Sequence, residues 1–217
     1  MTTLLVVLLI SYVIGSTPTS IIVSRLFYKS DIREHGSKNA GATNVFRTFG
    51  WKPALFVMLV DVFKGWLPAW YVGNHVIKGI ALSGNIDALM ILAGFAAVLG
   101  HTYTIFAHFK GGKGVGTAAG LLIALFPIAV PICIAIFILT LLFTGMVSLG
   151  SMLAATSLPI ILVLLKLFAG HPVSQTLLIF SVFIPIFIIF THRSNVGRIM
   201  AGTENRFEKA MIFKKKK

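Results

Sequence analysis

Charge is scarce in this chain, and negative charge most of all: 12% of its 217 residues are charged, six of them acidic and nineteen basic. A soluble domain has about a quarter charged residues, so an ordinary water-facing surface is excluded. Cysteine is nearly absent as well. Cys133 stands alone in an apolar run beside Pro131, which excludes a disulfide framework and a cysteine metal site; a small core side chain is expected there, not a nucleophile. No grouping of His, Asp and Glu has metal-ligand spacing, so no metal or other cofactor is expected. Nor is there any charge before Arg25. A cleaved signal needs positive charge ahead of its apolar stretch, so the run 4–23 is expected to remain as a spanning helix. No tandem repeat and no separate soluble domain are visible, and residues 1–217 are expected to form one transmembrane domain.

What is abundant is apolar: 57% of residues, with a mean hydropathy of +0.93. So small a protein cannot bury all of that, and lipid must cover much of it. Apolar spans are expected at 3–24, 53–73, 86–107, 117–144, 147–168 and 174–191. The fourth is too long for one crossing of roughly 20 residues, and Pro127 and Pro131 inside it favour a break. Sixteen of the nineteen basic residues lie in three segments, 25–52, 110–113 and 193–217, leaving only Lys64, Lys78 and Lys166. The positive-inside rule places all three segments in the cytoplasm. Returning from the second to the third on the same side needs an even number of crossings, so 117–144 is expected to split. The fold expected is an all-α polytopic membrane protein of seven transmembrane helices, N-terminus outside and C-terminus cytoplasmic. The lysine run 214–217 is expected to be a solvated tail near anionic headgroups.

Three segments interrupt the apolar pattern, all on the basic side. Residues 31–47 are dense in hydroxyl, amide and cationic groups, including Gly36, Ser37, Asn39, Asn44 and Arg47, the kind of set that holds phosphate. On composition, an ordinary basic loop remains equally open. Phe109-Lys110-Gly111-Gly112-Lys113-Gly114-Val115-Gly116-Thr117 runs straight into an apolar helix. Glycines allow close backbone approach, and their N–H groups can cradle an anion at a helix start. It is not a Walker A loop, since Gly114 follows Lys113 and no strand precedes it; neither a nucleotide nor a nucleic-acid partner is expected. The third segment, Thr191-His192-Arg193-Ser194-Asn195, puts His192 and Asn195 on one face if the helix continues, with His192 available for hydrogen bonding or proton transfer. Asp61 and Lys64, three apart inside the second span, are expected as a pair supporting the phosphate site from below, because charges at that depth are costly alone. His101 and Thr102 are weaker candidates of the same kind.

Together these motifs resemble those of the bacterial membrane acyltransferases that use acyl-phosphate to acylate glycerol 3-phosphate, the PlsY type, over nearly the whole chain. The first resembling motif is Gly15-Ser16-Thr17-Pro18 with Asp31-Ile32-Arg33-Glu34-His35-Gly36-Ser37, Gly41-Ala42-Thr43-Asn44-Val45 and Arg47. The second is Gly100-His101 with Phe109-Lys110-Gly111-Gly112-Lys113-Gly114-Val115. The third is His192, Asn195, Arg198, Gly202 and Glu204. One departure is Pro18-Thr19-Ser20 in place of a Pro-aromatic-Gly stretch. The resemblance implies transfer of an acyl group from acyl-phosphate to glycerol 3-phosphate, giving 1-acyl-glycerol 3-phosphate and phosphate, by a monomer in the bacterial cytoplasmic membrane. Ser37 and Arg47 would hold glycerol 3-phosphate. Lys113 with Lys110, Gly111, Gly112 and Gly114 would hold the acyl-phosphate head, and His192 and Asn195 would orient the reacting hydroxyl. Gly36, Asn39, Asn44, Lys64 and Glu204 would complete the binding set. No histidine has Asp five positions later, unlike soluble-type glycerolipid acyltransferases. A phosphate leaving group among cations suits an anion cradle with few general bases. A permease for a phosphorylated metabolite would instead carry an internal repeat and midplane polar groups, and transfer of a phospho-alcohol would need an aspartate cluster.

Overall fold

A computed structural model of the chain describes residues 2–75, 85–208 and 211–212; Lys78 and the lysine run 214–217 lie outside them. All regular structure among the described residues is helical. Helices fall into two compact units, Met1–Leu125 and Phe126–Lys217.

In Met1–Leu125 the first apolar run is two helices, α1 (Thr2–Ser16) and α2 (Thr19–Tyr28). Pro18 explains the break: it offers no N–H and disfavours helical backbone at Thr17. The exposed Thr17 carbonyl then finds other donors, Thr19 N at 3.0 Å and Lys64 Nζ at 2.6 Å. A short α3 (Ala42–Phe49) follows the first polar segment, then α4 (Trp51–His75), α5 (Ile86–Thr102) and α6 (Val115–Leu125). In this unit α1 packs on α5, and α4 on α3, α5 and α6. Two glycines set the α4–α6 approach. A Cβ on Gly65 would collide with the Thr117 carbonyl oxygen, and one on Gly120 with the Val62 carbonyl oxygen. Small residues of this kind let membrane helices come close enough for van der Waals packing, which has no hydrophobic driving force in lipid. Gly65→Ala should therefore cost about 1–3 kcal/mol of overpacking, measured as a lower midpoint of thermal unfolding in detergent.

Phe126–Lys217 holds α7 (Ala129–Thr144), α8 (Val147–Phe168), α9 (Gln175–Thr191) and α10 (Arg193–Met200), with α8 packed on both α7 and α9. The run 117–144 is thus two helices with the break at 126–128, where Pro127 stands. Among the described residues, four helical stretches are long and apolar enough to cross a membrane: Leu4–Tyr28, Trp51–His75, Ile86–Ala107 and Val147–Phe168. Counted as one span, the bent pair Gln175–Thr191 and Arg193–Met200 is a fifth, while Val115–Leu125 and Ala129–Thr144 are shorter. Large apolar side chains such as Leu5, Phe56, Phe63, Ile160 and Phe183 are more than half exposed, the pattern of helices whose outer faces meet hydrocarbon.

Candidate active site

The first polar segment is held open by its own hydrogen bonds. Asp31 caps a single 3-10 turn over Ile32–Glu34, accepting from Arg33 N at 2.9 Å, and pairs with Arg33 at 2.7 Å and Arg25 at 2.8 Å. The Arg33 side-chain bond, with help from Arg25, outweighs burial and holds the Asp31 carboxyl well below the usual carboxylate range. Asn44, only 1% exposed on α3, is the organiser. Its Oδ1 accepts from Ser37 N at 2.9 Å, and its Nδ2 donates to the Ile32 and His35 carbonyls at 3.0 and 2.9 Å. Gly36 lies between them at φ +55°, and a Cβ there would collide with Asn44 Oδ1. The carboxamide of Asn44 thus serves the loop backbone, and what it shapes is the presentation of Ser37. Asn39 and Arg47 are half-buried, Arg47 in the last turn of α3.

The glycine segment begins with a 3-10 turn over Ile105–Ala107, followed by His108 and Phe109, both left-handed at φ 54° and 58°. Such backbone is uncommon for residues with a side chain. Thr104 fixes it: its carbonyl accepts from Phe109 N at 2.8 Å, and its hydroxyl donates to the Ser16 carbonyl. The anion cradle anticipated from Gly111 and Gly112 differs in the structure. Their N–H groups turn back to the Thr102 and His101 carbonyls, each at 3.1 Å, because α5 ends there with unsatisfied carbonyls. The segment then runs through Lys113 and Gly114, the latter at φ +78°, into the first turn of α6. The two polar segments meet. Arg33 Nη1 reaches the Ala107 carbonyl at 3.5 Å, and a Cβ on Gly112 would lie 3.0 Å from the Ala40 carbonyl oxygen.

Beneath them sits a buried charged group. Lys64 (3% exposed) donates to Asp61 Oδ1 at 2.7 Å as well as to Thr17, and His101 Nδ1 lies 3.6 Å from the same oxygen. A cavity of about 10 Å³, room for about one water, lies among Thr17, Thr19, Asp61, His101, Gly111 and Gly112. Lys64 is thus bound to protein groups below the glycine segment.

In Phe126–Lys217 the third motif forms a hydrogen-bonded network of its own residues with Ser148. The helix does not continue straight through this motif: it is interrupted at His192, and α10 leaves α9 at 65°. The Ile188 carbonyl there faces both the His192 N–H at 3.0 Å and its ring Nδ1 at 2.8 Å, a side chain inserted into the helical ladder. His192 and Asn195 are nevertheless joined, through Asn195 N to the His192 carbonyl at 2.7 Å. Glu204 gathers three donors: Asn195 Nδ2 at 2.7 Å, Ser148 Oγ at 2.9 Å and Arg198 Nε at 2.8 Å. Ser148, at the start of an apolar span, carried no signal in sequence. Burial pushes the Glu204 carboxyl up, but these donors win and hold it below the usual glutamate value. A depressed folded pKa gives stability that is fully present above the unfolded value near 4.5 and is lost as pH falls through the folded one. Glu204→Gln should lower the unfolding midpoint at pH 7 yet narrow its drop between pH 7 and pH 4, as thermal melts at both values will show.

The family model described as glycerol-3-phosphate acyltransferase matches residues 5–202. A glycerol-3-phosphate acyltransferase of Pelodictyon phaeoclathratiforme is 44% identical, covering 95% of this chain and 97% of its own, and one of Chlorobium chlorochromatii is 42% identical over the same shares. A crystal structure of PlsY, an integral membrane glycerol 3-phosphate acyltransferase in its glycerol 3-phosphate form, superposes with a TM-score of 0.80 at 34% identity, covering 94% of this chain and 96% of that one. Its lysophosphatidic acid form gives 0.77 at 33%, covering 94% and 95%.

Proposed function

Since the chain belongs to the glycerol-3-phosphate acyltransferase family, an integral membrane acyltransferase of phospholipid synthesis, we propose that its acyl donor is an acyl-phosphate. The observation that carries this is the meeting of the two polar segments at Ala40, Ala107 and Gly112. Two cation-bearing segments side by side support a reading with two phosphates, one from each substrate. Ser37 and Arg47, with Gly36 and Asn39, bind glycerol 3-phosphate on the first. Lys113, Lys110, Gly114 and the start of α6 bind the donor phosphate on the second, through charge and helix-terminal N–H groups. Asn44 and Lys64 act on these sites from within the protein. His192 and Asn195, held by Glu204, are assigned by residue type to orienting a hydroxyl.

The glycerol 3-phosphate hydroxyl oxygen attacks the acyl carbonyl carbon. An ester C–O bond forms, the bond from carbonyl carbon to phosphate oxygen breaks, and phosphate departs with the proton. Cations around the leaving phosphate stabilise its developing charge, and no covalent enzyme intermediate arises. The products are 1-acyl-glycerol 3-phosphate and inorganic phosphate. The test is purified protein in detergent with glycerol 3-phosphate and one donor at a time. Phosphate release with acyl-phosphate is expected; turnover with an acyl thioester instead would overturn the assignment. The reading extends to a monomer of seven crossings in the bacterial cytoplasmic membrane, N-terminus outside, with all basic segments inside. Single cysteines replacing Glu34, Lys110 and Ser194 in a Cys133→Ala background should resist an impermeant thiol reagent in intact cells. Strong labelling of any one from outside overturns that topology.

A further inference from the structure

We infer that His101 is a positioning residue, fixing the glycine segment so that Lys113 and the first turn of α6 meet the substrate phosphate. The inference rests on the reading that segment 110–114 holds a phosphate. Its geometry stands on three contacts. The His101 carbonyl receives Gly112 N at 3.1 Å. The His101 ring fills the space behind Gly112, where a Cβ would collide with Nε2. Its other ring nitrogen, Nδ1, faces Asp61 Oδ1 at 3.6 Å.

Asp61 in turn supports the far end of the segment, since a Cβ on Gly116 would lie 3.3 Å from Asp61 Cβ. One buried aspartate thus faces both flanks of the glycine segment, His101 before it and Gly116 after it. Asp61 and His101 are 4% and 9% exposed. Charge buried at that depth is costly unless paired, and Lys64 supplies the pairing while donating to Thr17 at the break between α1 and α2. The group is a fixed post under a segment with little side-chain bulk of its own.

The test uses His101→Ala, His101→Asn, Gly112→Ala and the His101→Asn/Gly112→Ala double variant, with Lys113→Ala as the reference for the segment's ligand. Asparagine keeps a donor near the place of Nδ1 but vacates the space behind Gly112. His101→Ala should raise the same KM that Lys113→Ala raises, by about tenfold, with kcat changed much less, as expected for a displaced charge-assisted contact. His101→Asn should recover to within about threefold of wild type. Gly112→Ala alone should lower kcat/KM by about tenfold or more, yet by less than about threefold in the His101→Asn background, the non-additivity expected of side chains in direct contact. Equal defects in His101→Ala and His101→Asn, or strictly additive effects in the double variant, overturn the inference. If His101→Ala does not fold, the asparagine and double variants decide it. If Lys113→Ala moves neither KM, the phosphate reading of the segment fails, while the Gly112–His101 coupling in kcat/KM still decides the positioning.

Discussion

Asn44→Asp should reduce acyl transfer by about a hundredfold or more, one of the largest losses expected from any single-atom-scale change in this chain. Asparagine and aspartate have nearly the same shape, so packing around the 1% exposed side chain is preserved. The hydrogen-bond account is not. The Nδ2 group donates to two carbonyls, Ile32 and His35, and a carboxylate offers neither donor while setting charge against both. Each buried acceptor left without its partner costs about 1–3 kcal/mol, so two cost about 2–6 kcal/mol, about thirtyfold or more in the population of the correct loop, and the carboxylate charge set against both carbonyls adds to this. Ser37 would lose its fixed backbone with them. The expected signature is a collapsed rate with a thermal midpoint lowered only slightly, because the remainder of Met1–Leu125 rests on helix packing. Asn44→Asp retaining a third of wild-type activity would show that Asn44 does not organise this segment.

How much of this was legible in the sequence depended on the kind of signal. Apolar length marked the long helices within a few residues, and Pro127 marked the break at 126–128, because proline acts locally on backbone. The charge pair Asp61–Lys64 was legible for a similar reason: two ionisable groups three apart in an apolar run have no cheap alternative to pairing. The helix α3 was not seen, since its Thr43-Asn44 start resembles a polar loop and its eight residues are set by contacts with α4. Asn44 has the residue type of a ligand group, and its full use by the loop backbone, two carbonyls and the Ser37 N–H, depends on a fold that composition does not encode. The turning back of the Gly111 and Gly112 N–H groups was hidden likewise; glycine permits that backbone path without specifying it. Whether the helix continues past residue 191 is not legible in the sequence, because no proline or glycine marks the bend, which arises where the His192 ring meets the Ile188 carbonyl.

Arg47→Lys is the sharper test of the proposed phosphate sites, because it keeps the charge and changes only its form. Arg47 lies in the last turn of α3, the helix that Asn44 ties to the Ser37 loop, so its position is set by the segment proposed to hold glycerol 3-phosphate. A guanidinium presents a planar fork that matches phosphate oxygens in pairs, whereas an ammonium is a point charge on a flexible stem. Losing one charge-assisted contact costs about 1.5–3 kcal/mol, about tenfold to a hundredfold. Arg47→Lys should therefore raise the KM for glycerol 3-phosphate by at least about tenfold and leave the KM for acyl-phosphate nearly unchanged. Lys113→Ala should do the converse, with a larger fall in kcat, because the donor phosphate gains charge as it leaves. Lys214→Ala, in the terminal lysine run, should be nearly silent. If basic residues served only to orient the chain in the membrane, Arg47→Lys would behave like wild type, since the positive-inside rule counts lysine and arginine alike. Steady-state kinetics in each substrate separate the two accounts, and a wild-type glycerol 3-phosphate dependence for Arg47→Lys would remove Arg47 from the site.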